Sequence, residues 1–129
     1  MAHCPSQIVR DFYAARASGN LDAVRTFIAP DVLWIEPAVG DQTGELHGAD
    51  AVIDMITKAL ELTSGTFALE IGEIVEVAGH CAAVISWSAE KAGHAISSRE
   101  LATFSVVKNR IAFAHFLPED IEHDRTFWD

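Results

Sequence analysis

Basic residues are scarce in this chain: nine Lys and Arg stand against nineteen Asp and Glu, a formal net charge of −10. Binding a nucleic-acid backbone needs clustered cations, and these nine are scattered, which argues against such a partner. Cysteine is rarer still. Cys4 lies near the start and Cys81 in an apolar run. The two form neither a metal-type spacing nor a disulfide framework, so a reducing, cytoplasmic setting is the simpler inference. No apolar run approaches bilayer-spanning length, and no basic stretch leads into an apolar segment with a cleavage site, so neither membrane insertion nor secretion is expected. Phosphate loop, dinucleotide fingerprint and nucleophile elbow are missing too, and no cofactor is expected.

What is there suits one domain. At 129 residues, 50% hydrophobic and 22% charged, the chain can bury a core of its own. Ser6 is positioned to cap a helix whose Ile8, Val9, Phe12 and Tyr13 share a face, and Gly19 stops it. Asn20 or the following turn starts a short second helix striped by Leu21, Val24, Phe27 and Ile28, which Pro30 ends. A strand carrying Trp34 and Glu36 follows, and residues 37–47, with Gly40 and Gly44, read as a loop. After Gly48 a third helix, with Val52, Ile53 and Ile56 apolar, runs to about Leu62.

From there the period becomes strand-like, with candidates at 66–77, 80–90, 96–108 and 110–117. Gly79, Ala92-Gly93 and Lys108-Asn109-Arg110 are short turns that suit an antiparallel meander. Helices first and strands afterwards argue an α+β fold, with three N-terminal helices on one face of a curved, mostly antiparallel sheet. The tail 118–129 is acidic but ends in Phe127-Trp128, so it needs the body or a partner to dock on.

Within Asp31-Val32-Leu33-Trp34-Ile35-Glu36-Pro37 a carboxylate alternates with a tryptophan, so both side chains point to one side of the strand. Pro37 cannot donate to a ladder and ends the strand just beyond Glu36. If buried among Trp34, Trp87 and Phe104, Glu36 would have its charged form disfavoured and its pKa raised, which suits proton abstraction near neutral pH. The bland alternative is an edge acid, solvated or paired with an arginine such as Arg99. His115, beside Phe116 in the last strand, is either a second catalytic group facing Glu36 or a satisfied histidine on the opposite side. Strand parity leaves both open.

Ile85 and Trp87 share one parity, and Glu100, Ala102 and Phe104 another, placing them as candidate cavity wall with Phe12, Tyr13, Trp34, Ile56 and Phe116. Glu119, Asp120, His123 and Asp124 match no recognised metal cage, and no metal site is expected.

The ordered series Ile8-Val9-Arg10-Asp11-Phe12-Tyr13-Ala14-Ala15, Gly19-Asn20-Leu21-Asp22, Phe27-Ile28-Ala29-Pro30-Asp31-Val32, Glu36-Pro37 and Gly48 resembles the nuclear-transport-factor-2-like superfamily, in its ketosteroid-isomerase-like and SnoaL-like (polyketide cyclase) branches. The likeness in element order runs from about residue 6 to 117. It implies a cone-shaped sheet with the helices on its concave side, enclosing a pocket for a small hydrophobic molecule. It also implies a homodimer through the convex sheet face, where Leu101, Thr103, Ser105 and Val107 alternate.

In the isomerases an acid before a proline at the end of the first strand is the general base, and Glu36-Pro37 matches that position. Their tyrosine and protonated aspartate, which polarise the substrate carbonyl, correspond to Phe12 and Ala102 here. The resemblance therefore implies proton abstraction, leading to isomerisation or cyclisation, without the family's own oxyanion hole. A non-catalytic ligand-binding or dimeric interaction module of the same fold is the alternative.

Overall fold

The structure, a computed structural model, describes residues 4–37 and 44–128. Helix α1 (Pro5–Ala17) starts with Pro5 in its first turn, where a missing N–H costs nothing, and Cys4 rather than Ser6 holds the cap position. Ser6 instead donates its backbone N–H to Glu76 Oε1 at 2.8 Å, tying the helix start to the sheet. Asn20 caps α2 (Leu21–Thr26) as expected, its side chain accepting from Ala23 N–H at 3.1 Å. Gly48, at φ +90°, turns the chain into α3 (Ala49–Leu62).

The sheet has the order β2-β1-β6-β5-β4-β3, with β1 Ile28–Ile35, β2 Glu45–His47, β3 Ala68–Val77, β4 His80–Lys91, β5 His94–Val107 and β6 Arg110–Pro118. β3 to β6 form the expected antiparallel meander. Its turns at Ala78-Gly79, Ala92-Gly93 and Lys108-Asn109 have two central residues at positive φ, the geometry that follows the strands' own twist. The sheet is mixed, because β1 lies parallel to β6.

The stretch 37–47 is not wholly loop: Glu45–His47 pairs antiparallel with Leu33–Ile35 as β2. Its residues 38–43 lie outside the described ones. The tail also folds. Asp120 accepts from His123 N–H at 3.1 Å and starts helix α4 (Ile121–Trp128), and Lys91 Nζ donates to the last carbonyl oxygens, 2.6 Å from that of Trp128.

Alternation sorts the strands into two faces. Cys81, Ala83, Ile85, Trp87 and Ala89 of β4 are buried while the residues between them are open or partly so. Ala102 and Phe104 of β5 and Ala114 and Phe116 of β6 are buried on the same, concave side, under α1 and α3.

Candidate functional site

Five aromatic rings line the deep part of the concave side. Phe12 lies 5.6 Å from Trp34, and Tyr13 lies 6.1 Å from Phe104, between ring centroids. Phe116 stands 5.0 Å from Trp34 and 5.8 Å from Phe104. These rings, with Ile56, Ile85 and Ala102, belong to one buried cluster, so eight of the ten expected wall residues come together.

Trp87 belongs to a second, outer cluster with Ala89, Ile96 and Phe127. It stacks between Phe67 at 5.4 Å and Trp128 at 5.9 Å, so α4 covers it and it lies apart from the other expected wall residues. Trp34 is fully buried at depth, and Trp87 lies under the C-terminal helix.

Between the two clusters runs a polar band. On β5, Ile96 belongs to the outer cluster and Ala102 to the deep one, while Ser98 and Glu100 occupy the inward positions between them. Ser98 Oγ donates to Asp124 Oδ1 of α4 at 2.6 Å, and Asp124 is buried. Glu36 enters this band from the end of β1: the Trp34 indole N–H donates to its Oε1 at 2.8 Å, as their shared parity requires. Tyr13 is 5% exposed and its buried hydroxyl has no hydrogen-bond partner among the described residues. An unsatisfied buried hydroxyl costs about 1–3 kcal/mol, so its retention calls for a reason.

The electrostatics of the band are unbalanced. Glu36 is raised above the ordinary carboxylate value by desolvation, against the opposing pull of the Trp34 hydrogen bond and the Arg16 charge. Glu100 is raised to about 8, first by desolvation and then by the nearby charge of Glu36. Tyr13 is pushed up by burial, and it too feels Arg16, Glu100 and Glu36. Arg16 is the cation of the group, lying over the Phe67 ring at 5.5 Å. Two carboxyls and one cation therefore lie within electrostatic reach of one another in a desolvated region. Glu36 carries the donors that favour its charged form, and Glu100 is the one that holds a proton at neutral pH.

His115 is not brought to this site. It pairs with Thr103 while Ala102 pairs with Phe116, so its ring points to the convex side, 6.4 Å from Phe113. Arg99 likewise faces away and pairs with Glu119 rather than Glu36. The open groove beside it, about 470 Å³, is formed chiefly by convex-side residues such as Glu70, Ser86, Ser88 and Ser97. Arg16, Ser98 and Asp124 were missed from the sequence. Arg16 was within reach, since it lies four positions after Phe12 and three after Tyr13, on the same helix face. Asp124 could not be placed without knowing that the tail folds back. Among the described residues no three His, Cys, Asp or Glu side chains could hold a metal ion, and no helix is long and apolar enough to cross a membrane.

A curled six-stranded sheet backed by N-terminal helices is the α+β cone of NTF2-like proteins. Within that class the chain belongs to the SnoaL-like domain family, whose sequence profile matches residues 9–114. It is 26% identical over 122 residues to the uncharacterised protein Rv0034 of Mycobacterium tuberculosis, covering 94% of this chain and 93% of that one. Among solved structures it is similar to Bal32a from a soil-derived mobile gene cassette, with TM-score 0.92 and 19% identity over 97% of this chain and 96% of the other. IdmH of Streptomyces antibioticus, described as a candidate polyketide cyclase, superposes with TM-score 0.80 at 16% identity, over 98% of this chain and 100% of its own.

Proposed function

We propose that the concave side is the pocket of an enzyme acting on a small hydrophobic carbonyl compound, with Glu36 as the base that removes a proton beside the carbonyl. The observation that carries this reading is the half-buried Glu36 carboxyl, oriented by the Trp34 indole within an aromatic wall. Burial raises its pKa and makes it a stronger base than a solvated glutamate, while the indole N–H and Arg16 act against that rise. The surrounding rings suit flat hydrocarbon substrates. Isomerisation and aldol-type cyclisation both begin with this proton transfer, and two structural neighbours described as candidate polyketide cyclases are in keeping with it.

The test is deuterium exchange in D2O at the carbon beside the carbonyl of 2-tetralone, followed by NMR. The protein accelerates exchange, and Glu36→Gln lowers the rate by about 100-fold or more. Equal rates for the two proteins would sink the mechanism. A non-catalytic ligand-binding role is the second reading, favoured by Phe12 and Ala102 at the positions of the isomerases' polarising pair.

The partner we propose is a second copy of the chain on the convex face, in the cytoplasm. Val75, Val77, Val84, Leu101 and Leu117 are large apolar side chains left exposed there, Val75 and Val77 by 67% and 68%. Both cysteines are free, in keeping with a reducing compartment. Sedimentation should give a dimer that Leu101→Asp converts to monomer; a monomeric parent protein would refute it.

A further inference from the structure

We propose that α4 is a gate with Trp128 as its plug: the helix swings off the sheet as one unit, and a flat ring of the substrate takes the place of Trp128 on Trp87. The deep cluster stays folded throughout. What the gate admits rests on the reading of the concave side as a pocket; the opening of the helix does not.

The position of α4 is the first observation. Along the inward row of β5, Ile96 and Ser98 lie under the helix and Glu100 comes next. Phe67 closes the gap towards α1, with the Arg16 guanidinium 5.5 Å and the Trp128 ring 6.1 Å from its ring centre. The way to Glu100 from this end of the sheet therefore runs beneath α4. The second observation is the division of the core. Phe127 packs with Trp87, Ala89 and Ile96 in a cluster separate from the deep one, so lifting α4 uncovers the outer cluster and takes no side chain from the other. Trp128 stacks on Trp87 with 26° between their planes, and its departure leaves a flat apolar face that fits a planar ring.

The third observation is what holds the helix shut. Two polar latches do so: Ser98 Oγ donates to Asp124 Oδ1 at 2.6 Å, and Lys91 Nζ donates to the carbonyl oxygens of Trp128 at 2.6 Å and Phe127 at 3.3 Å. Water can replace the partner in each. Asp124 is only 4% exposed when the helix is closed, so release also restores the hydration of a carboxyl. The outward residues Glu122, His123, Arg125 and Thr126 are exposed already and lose nothing on opening. The chain before the helix is fixed instead: Glu119 donates its backbone N–H to the Arg99 carbonyl oxygen at 2.9 Å, and its carboxylate pairs with the Arg99 guanidinium. Asp120 belongs to the helix, which it caps. The hinge is therefore the link between Glu119 and Asp120, and the movement is that of a short lid whose release leaves the sheet intact.

The test is thiol labelling with dithiobis-nitrobenzoate in a Cys4→Ser background that carries Ala89→Cys. Ala89 is buried in the outer cluster and Cys81 in the deep one, so one molecule then holds a thiol on each side of the division. The thiol introduced at position 89 should react about 100-fold faster than Cys81, at a rate that low urea leaves unchanged. Lys91→Met and Trp128→Ala each weaken the closed state and should speed that thiol by about tenfold while leaving Cys81 as it was. Amide hydrogen exchange in the unaltered protein guards against an effect of Ala89→Cys itself: α4 should exchange about 100-fold faster than β5. Equal reaction of the two thiols, or equal protection of α4 and β5, would show that the helix leaves only with the whole fold and overturns the gate. Binding of 2-tetralone, read by equilibrium dialysis, should tighten about fivefold in Trp128→Ala, because the plug no longer competes. Unchanged, weaker or absent binding overturns the exchange of rings. None of these readouts uses Glu36, so their success without proton exchange on 2-tetralone removes the base and keeps the gate, and their failure beside a Glu36-dependent exchange does the reverse.

Discussion

The two faces of the sheet are made by the same strands, one residue out of step, and they handle polar chemistry in opposite ways. On the convex side polar groups are partnered near water: Arg99 pairs with Glu119, and His80 Nδ1 lies 2.9 Å from Ser105 Oγ. The apolar side chains between them, such as Leu101 and Val84, remain exposed. On the concave side apolar groups are buried to completion, while Glu36, Glu100 and Tyr13 are taken from water with fewer partners than they can use. Burial of unmatched ionisable groups lowers stability, and among the described residues they gather on the inner face, where the proposed chemistry would use them.

Truncation separates the faces most. Trp34→Ala empties the centre of the deep aromatic cluster and should cost about 3–5 kcal/mol, whereas Leu101→Ala should cost the isolated monomer less than about 1 kcal/mol, both by urea denaturation. Similar losses at the two positions would break the distinction.

The next effect is of pH. Glu100 is raised to about 8 in the fold from an ordinary value of 4.5, so between these limits the unfolded chain has released a proton that the folded one retains. Stability therefore falls as pH rises through that window and levels off above it, by an amount of order 3 kcal/mol once partial solvent access is allowed for. Glu36 and Asp124, also raised, add in the same direction. Glu100→Gln should flatten most of the slope, while Glu119→Gln on the convex side should leave it.

The smallest effect sharpens the contrast instead of breaking it. Tyr13→Phe removes a hydroxyl that has no protein partner, so the empty protein should be unchanged or more stable by about 1 kcal/mol. A loss of stability would mean that the hydroxyl is already satisfied.

Much of this contrast could be read in the sequence. Helical spacing at Ile8, Val9, Phe12 and Tyr13 and strand alternation around Trp87 and Phe104 gave the elements and their inner faces, because one-sided burial leaves a periodic trace. Parity also put Glu36 with Trp34 and Glu100 with Phe104. It left His115 undecided, because neighbouring residues of both kinds are apolar and a bulge between Ser105 and Val106 shifts the register of β5 against β6. The tail was opaque for another reason. Its acids suit solvent, and the Phe127 and Trp128 contacts that hold α4 lie on strands and loops far away in sequence. Arg16 shows the remaining limit: its role comes from two carboxyls on other elements, which only the folded chain brings near.

The most direct test of the inner face is the titration of the glutamate side-chain carboxyls by carbon-13 NMR, in the protein and in Glu36→Gln. Glu100 should titrate at about 8, far from the exposed glutamates, and should move down when Glu36 loses its charge. A Glu100 that titrates with the surface acids, or one indifferent to Glu36→Gln, would contradict the account.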